Sequence, residues 1–122
     1  MRFTQDPTSG INLIRGYAPG EIRINTQQYK TSLIVTASTV LPEPALRGVG
    51  DLSDDVAARV LGLDPEVVLL GTGSTQSFAA AGFGVQFLRA GIGYEVMTTA
   101  AACRTFNVLV AEQRRALAIL IV

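Results

Sequence analysis

The sequence predicts an α/β fold with a mixed, partly parallel sheet under helices, and three observations carry that prediction. Val67-Val68-Leu69-Leu70 runs unbroken into Gly71-Thr72-Gly73. An apolar run bounded by glycines suits a strand buried on both faces, as parallel sheets are. From Glu66 onward the order reads strand, helix, strand, helix, strand, the pattern of right-handed βαβ crossovers. Finally, 48% apolar and 16% charged residues over 122 positions bury a core readily and fit one domain spanning 1–122.

Taken in order, residues 1–10 are polar, carry Pro7 and predict an irregular lead-in without the apolar stretch of a secretory signal. Ile11 to Tyr17 reads as a strand, and Ala18-Pro19-Gly20 as a turn, since proline presets one angle and glycine accepts positive φ. Glu21 to Asn25 alternates polar and apolar, the mark of a half-buried strand. Gln27 to Lys30 is a polar connection, and Ser32 to Thr36 is a β-branched, apolar strand. These three strands are expected to form an N-terminal antiparallel β-ribbon beside the main sheet. Thr39 to Gly50 holds Pro42, Pro44, Gly48 and Gly50 and predicts a surface loop.

Ser53 then caps a helix whose first turn carries Asp54 and Asp55, where the helix dipole favours acids. Val56, Val60 and Leu63 make its apolar stripe; Gly62 is its expected C-cap, and Asp64-Pro65 enforces the stop. The strand at 66–70 follows, then a polar loop to Phe78. A second helix spans 80–90, although Gly82 and Gly84 weaken it by roughly 1 kcal/mol each against alanine. Gly91 ends it. Gly93 to Met97 is a strand, Thr98 or Thr99 caps a third helix from Ala100 to about Gln113, and Ala116 to Val122 closes the chain as a strand of either direction. The first crossover makes 66–70 and 93–97 parallel, so Gly71-Thr72-Gly73 falls beside Met97-Thr98-Thr99.

Charge narrows the functional classes. Ten basic residues balance ten acidic ones, leaving no electrostatic footprint for nucleic acid or anionic lipid. The absence of histidine excludes Ser-His-Asp and Cys-His arrangements within one chain, and every histidine-based metal site. The lone Cys103 excludes an internal disulfide and fits a reducing cytoplasm. Ala116 to Val122, the longest strongly apolar run, is too short to span a bilayer. A soluble cytoplasmic protein without cofactor, metal, nucleic-acid partner or membrane span is expected.

The motifs themselves form a recognisable series. Leu69-Leu70-Gly71-Thr72-Gly73, Gly91-Ile92-Gly93, Glu95-Val96-Met97-Thr98-Thr99-Ala100-Ala101-Ala102-Cys103-Arg104-Thr105-Phe106-Asn107-Val108-Leu109 and Glu112-Gln113-Arg114 together resemble a small domain family that includes the mitochondrial NADH dehydrogenase (complex I) assembly factor 3 and an adipogenesis-associated domain protein. The likeness covers nearly the whole chain, with its strong motifs between residues 69 and 114. Two positions depart from the family pattern: Thr98 stands where an acid is usual, and Phe106 where a tyrosine is usual. The resemblance implies a three-layer α/β sandwich with a mixed central sheet, one strand of it antiparallel, and an added β-ribbon. For function it implies an assembly role.

Candidate site residues gather at the carboxyl edge of the sheet, where open α/β sheets place their crevices. Backbone N–H groups of Gly71, Thr72 and Gly73 would cradle an anion, or the three residues form a tight turn only. The further glycine and distant acid of a dinucleotide fingerprint are missing, as is the Gly-Lys-Ser/Thr of a P-loop. Arg104 and Asn107 share a helical face, and Arg104 would reach back over Thr98 and Thr99 toward Gly73 to complete a carboxylate or phosphate site. The competing role is a structural arginine that ties loop carbonyls or pairs with Glu95 or Glu112. Cys103 falls on the apolar stripe of Phe106 and Val110 and reads as a buried, inert thiol. Two functions follow: a non-enzymatic interaction or assembly module with a protein partner, or a small binding protein or enzyme holding an anionic small molecule at the Gly-Thr-Gly crevice.

Overall fold

In the computed structural model, which describes residues 10–122, the chain first builds a small antiparallel sheet from β1 (Ile14–Ala18), β2 (Glu21–Ile24) and β3 (Gln27–Tyr29). It then adds β4 (Leu33–Thr36), β5 (Val40–Pro42), a single 3-10 turn at Val49–Asp51, and α1 (Asp54–Gly62). The remainder is β6 (Val67–Gly71), α2 (Ala81–Arg89), β7 (Gly93–Met97), α3 (Thr99–Ala111) and β8 (Ala116–Leu120). The irregular lead-in expected over 1–10 lies, except for Gly10, outside the described residues.

Five strands form the main sheet in the order β5-β4-β8-β6-β7. β6 pairs in parallel with β7, from Val67↔Gly93 to Gly71↔Met97, and with β8, from Val67↔Ala116 to Gly71↔Leu120. β4 lies antiparallel to both β8 and β5, so it alone runs against the rest. The chain leaves β6 outward to β7, then returns past β6 to β8. Crossovers of one hand travelling in opposite directions put their helices on opposite faces.

The core shows this split. Leu33, Val35, Val67, Leu69, Ala118 and Leu120 point to one face and pack with Ala102, Cys103, Phe106 and Val110 of α3 and with Ile14, Ile22 and Ile24 of the ribbon. Ile34, Val68, Leu70, Leu117 and Ile119 point to the other and pack with Val56 and Val60 of α1 and Phe83 and Phe87 of α2. The result is three layers around a sheet covered on both sides. Each fully buried Leu, Ile or Phe contributes roughly 1.5–3 kcal/mol. Among the described residues no helix is long and apolar enough to cross a membrane.

Local chemistry sets the helix ends. The Ser53 hydroxyl accepts from the Val56 N–H at 3.3 Å, with Asp54 and Asp55 in the first turn. α1 stops because Asp64 takes a left-handed φ of 54° ahead of Pro65; the helix runs through Gly62, and Leu63 is its cap. Two expectations are corrected. The strand at 32–36 belongs to the main sheet, not the ribbon, because Leu33, Ile34 and Val35 are all buried and so need cover on both faces. The third ribbon strand is instead Gln27–Tyr29, reached through a two-residue hairpin turn in which Asn25 adopts φ 52°. The loop expected over 39–50 also contains the short edge strand β5, whose Pro42 sits where an edge tolerates a missing donor.

Candidate functional site

At the carboxyl edge of the sheet the start of α3 is tied to β6 and β8. The Thr98 hydroxyl caps α3 by accepting from the Ala101 N–H at 3.3 Å. An acid at this position, as the family pattern carries, would cap equally well. Thr99 is the first helical residue and is fully buried. Its hydroxyl donates to the Ile121 carbonyl at 2.6 Å and accepts from the Gly73 N–H at 2.8 Å, while its own N–H donates to the Gly73 carbonyl at 2.9 Å. Thr72 N–H donates to the Met97 carbonyl at 2.9 Å, and its hydroxyl accepts from the Ser77 N–H at 3.0 Å and donates to the Thr75 carbonyl at 2.9 Å. Gly71, Thr72, Gly73, Thr98 and Thr99 therefore do come together, and they spend their polar groups largely on one another.

Gly71 explains why the edge closes. A Cβ there would lie 2.8 Å from the Thr99 Cα and 2.9 Å from its hydroxyl oxygen. The missing side chain admits the backbone of α3 rather than a ligand. Gly73 adopts φ 102°, a conformation that favours glycine, to make the turn.

Arg104 and Asn107 lie elsewhere. With Ala100 and Cys103 they form the α3 face that looks toward β1, and with Ile14, Arg15, Gly16 and Tyr17 they line a cleft of about 200 Å³. The Asn107 amide clamps the β1 backbone: its Oδ1 accepts from the Ile14 N–H and its Nδ2 donates to the Ile14 carbonyl, both at 2.8 Å. The side chain thus replaces a neighbouring strand. The β1–β2 register shifts between Ile14 and Gly16, leaving Arg15 as the extra residue of a bulge. Bulges re-aim side chains, and this one brings Arg15 to the cleft.

The cleft lining carries two arginines and no acid. Arg104 is exposed and makes no ion pair with any described residue. The Glu95 and Glu112 pairings open to it in the sequence are not among the ion pairs of the described residues. A third guanidinium, that of Arg23, folds across β1 with its Nη2 3.3 Å from where a Gly16 Cβ would stand. The Tyr17 hydroxyl oxygen is closed to solvent and has no hydrogen-bond partner among the described residues, although its ring is half-buried. Burial pushes the Tyr17 phenol above its ordinary value, with a smaller push from Cys103, so it is a neutral donor at neutral pH. Burial also pushes the Cys103 thiol up to about 11, only partly opposed by the charge of Arg104. Cys103 is 6% exposed and protonated at pH 7, the state of an unreactive thiol.

Sequence reasoning missed Arg15 and Tyr17. The spacing 100, 103, 104, 107 marks a helical face, but nothing local says that β1 covers it. The pairing of Asn107 with Ile14 spans 93 residues.

Comparison with known proteins agrees with this architecture. The family model described as "Protein of unknown function (DUF498/DUF598)" matches residues 14–121. A protein of Francisella tularensis subsp. holarctica (strain LVS), called a 13 kDa major membrane protein, is 29% identical over 122 residues, covering 99% of each chain. An NMR structure from Xanthomonas campestris superposes with a TM-score of 0.83 at 34% identity, over 100% of this chain and 92% of that one. A Bordetella pertussis protein described as a Mth938-like domain gives a TM-score of 0.81 at 27% identity, over 99% and 92% of the two chains. With the Mth938-like fold and a match from β1 to the last residues of the sheet edge, the chain belongs to the DUF498/DUF598 family of proteins of unknown function.

Proposed function

We propose that this protein is a non-enzymatic binding module that holds a protein partner by an anionic group seated in the cleft between β1 and α3. The observation that carries the reading is the pair Arg15 and Arg104 on a cleft without acids. In a chain of zero net charge, that local excess of positive charge favours an anionic group. The chemistry beside it supports binding over reaction: the thiol is held protonated, and the chain has no histidine to act as its base. In this reading Arg104 contacts the partner and Asn107 positions β1. Gly71, Thr72, Gly73, Thr98 and Thr99 hold the helix start that presents both residues. The role resembles the assembly function of the mitochondrial members named above. A cytoplasmic module of this kind reaches a membrane through its partner, which also accommodates the membrane-protein name of the Francisella relative.

The test is capture of partners from native lysate by immobilised protein, with the charge-reversed Arg104→Glu as the control. Proteins retained by the wild type and lost by the variant, at equal melting temperature, support the reading. Identical retention by both removes the cleft from partner binding.

A further inference from the structure

We propose that the group received by this cleft is a carboxylate on a short apolar stem, held by the Arg15 and Arg104 guanidiniums with the Tyr17 hydroxyl as third donor. The inference rests on the binding reading above and adds its ligand class. Three features select a carboxylate. Two arginine forks match its planar, singly charged oxygens. A phosphate calls for more donors, and the nearest helix start has spent most of its own: the Ala101 N–H donates to the Thr98 hydroxyl and the Thr99 N–H to the Gly73 carbonyl, which leaves that of Ala100. Beside the Asn107 amide, which is engaged with the Ile14 backbone, the lining offers Ile14, Ala100 and Cys103 to a hydrocarbon stem.

Tyr17 supplies the independent argument. A buried hydroxyl without a partner is costly to keep, and among the described residues Tyr17 Oη is the one side-chain polar atom in that state. A ligand oxygen accepting its proton removes that penalty on binding. Arg15, Tyr17 and Arg104 line one cleft, and both arginines are exposed, so their long side chains are free to adjust to a ligand that reaches the hydroxyl. The Asn107 clamp and the bulge beside it fix the β1 backbone that carries Arg15, so only side chains have to adjust when the ligand arrives.

The experiment titrates isotopically labelled protein with four probes and follows backbone amide shifts: isovalerate, a tetrapeptide ending in leucine as free acid, the same peptide amidated, and inorganic phosphate. The expected result is saturable shifts confined to residues 14–17 and 100–107 for the carboxylates, and none for the amide. Tyr17→Phe should weaken carboxylate binding about 3–10-fold with no loss of melting temperature. Arg104→Lys should weaken it by about tenfold, since the charge remains and the fork is lost. Equal affinity for isovalerate and the acid peptide identifies a free small acid as the natural source, whereas a clear preference for the peptide identifies a partner's carboxyl terminus. Tighter binding of phosphate, equal binding of the amide, shifts elsewhere, no binding at all, or an unaffected Tyr17→Phe each overturn the proposal. Arg104-dependent partner capture without carboxylate binding overturns this inference alone. Carboxylate binding without any captured partner overturns only the reading on which it rests.

Discussion

A side chain on Gly71 has no room, because its Cβ would stand 2.8 Å from the backbone Cα of Thr99. That contact is with main chain, so rotating a neighbour cannot relieve it. Gly71→Ala is expected to destabilise the protein by about 2–3 kcal/mol or to prevent folding. Thr99→Val keeps the shape of the side chain but strands the Gly73 N–H and the Ile121 carbonyl, both now served by one hydroxyl. It should cost roughly 2–4 kcal/mol, and Thr99→Ser about 1 kcal/mol. Urea unfolding of the three variants checks the order. A Thr99→Val as stable as Thr99→Ser would show that the hydroxyl does not hold the sheet edge.

The Asn107 clamp makes a local prediction. Asn107→Asp retains an acceptor for the Ile14 N–H but turns a second oxygen toward the Ile14 carbonyl, where Nδ2 now donates. A loss of about 2 kcal/mol is expected, and it should be concentrated in the ribbon. Hydrogen exchange should speed up over residues 14–18 and 22–24 while β6 and β8 keep their protection. Uniform loss of protection across the main sheet would mean that the clamp supports the global fold instead.

The half of the chain from β6 to β8 was legible because each of its signals is local. Val67 to Leu70 is an unbroken apolar run, a threonine at 98 or 99 caps the third helix, and the crossover rule then makes β6 and β7 parallel, while the direction of β8 stayed open. The ribbon was read less well. Leu33-Ile34-Val35 already carried the mark of a strand covered on both faces, yet its neighbours in sequence drew it into the meander. The hairpin at Asn25 rests on one positive φ in a residue that only sometimes adopts it. At the site, the meeting of the Gly-Thr-Gly turn with Thr99 followed from topology. Which of two adjacent threonines would cap α3 did not, since both residue types suit the position and tertiary contacts decide. Nor could sequence place Tyr17 against α3, because that contact joins distant parts of the chain.

Gly82 and Gly84 separate intrinsic helix propensity from packing within one helix. A Cβ on Gly82 meets nothing within 4 Å, so Gly82→Ala should stabilise by about 0.5–1 kcal/mol. A Cβ on Gly84 would lie 2.4 Å from Cε2 of Tyr94. That ring is packed edge-on by Phe83, with centroids 6.3 Å apart, and in a tilted arrangement by Phe87 at 5.5 Å. Gly84→Ala gains the same propensity but must displace the ring, and a net loss of about 1–2 kcal/mol is expected. Thermal melts of the two variants should move in opposite directions, and a rise in both would show that the Tyr94 ring yields freely.

Cys103 connects burial to pH. Its thiol ionises near 9 when unfolded and is pushed up to about 11 in the native protein, chiefly by burial and against the pull of Arg104. The folded value is the higher one, so this contribution to stability is complete below pH 9 and is lost as pH rises toward 11. In that window the unfolded chain releases a proton that the native chain keeps, which makes unfolding easier. The loss amounts to roughly 2–3 kcal/mol. Tyr17 and Tyr94 are raised too, chiefly by burial, and add a decline of the same sign; both remain in Cys103→Ala. At pH 7 that variant should be less stable than wild type by about 1 kcal/mol, for the lost sulfur contacts. By pH 11 the order should reverse, because only the wild type has a buried thiol to ionise on unfolding. Native-state labelling of Cys103 at pH 7 should be correspondingly slow. Parallel stability curves for the two proteins from pH 8 to 11, or rapid stoichiometric labelling of the folded chain, would show that the thiol is accessible and that its burial does not govern its chemistry.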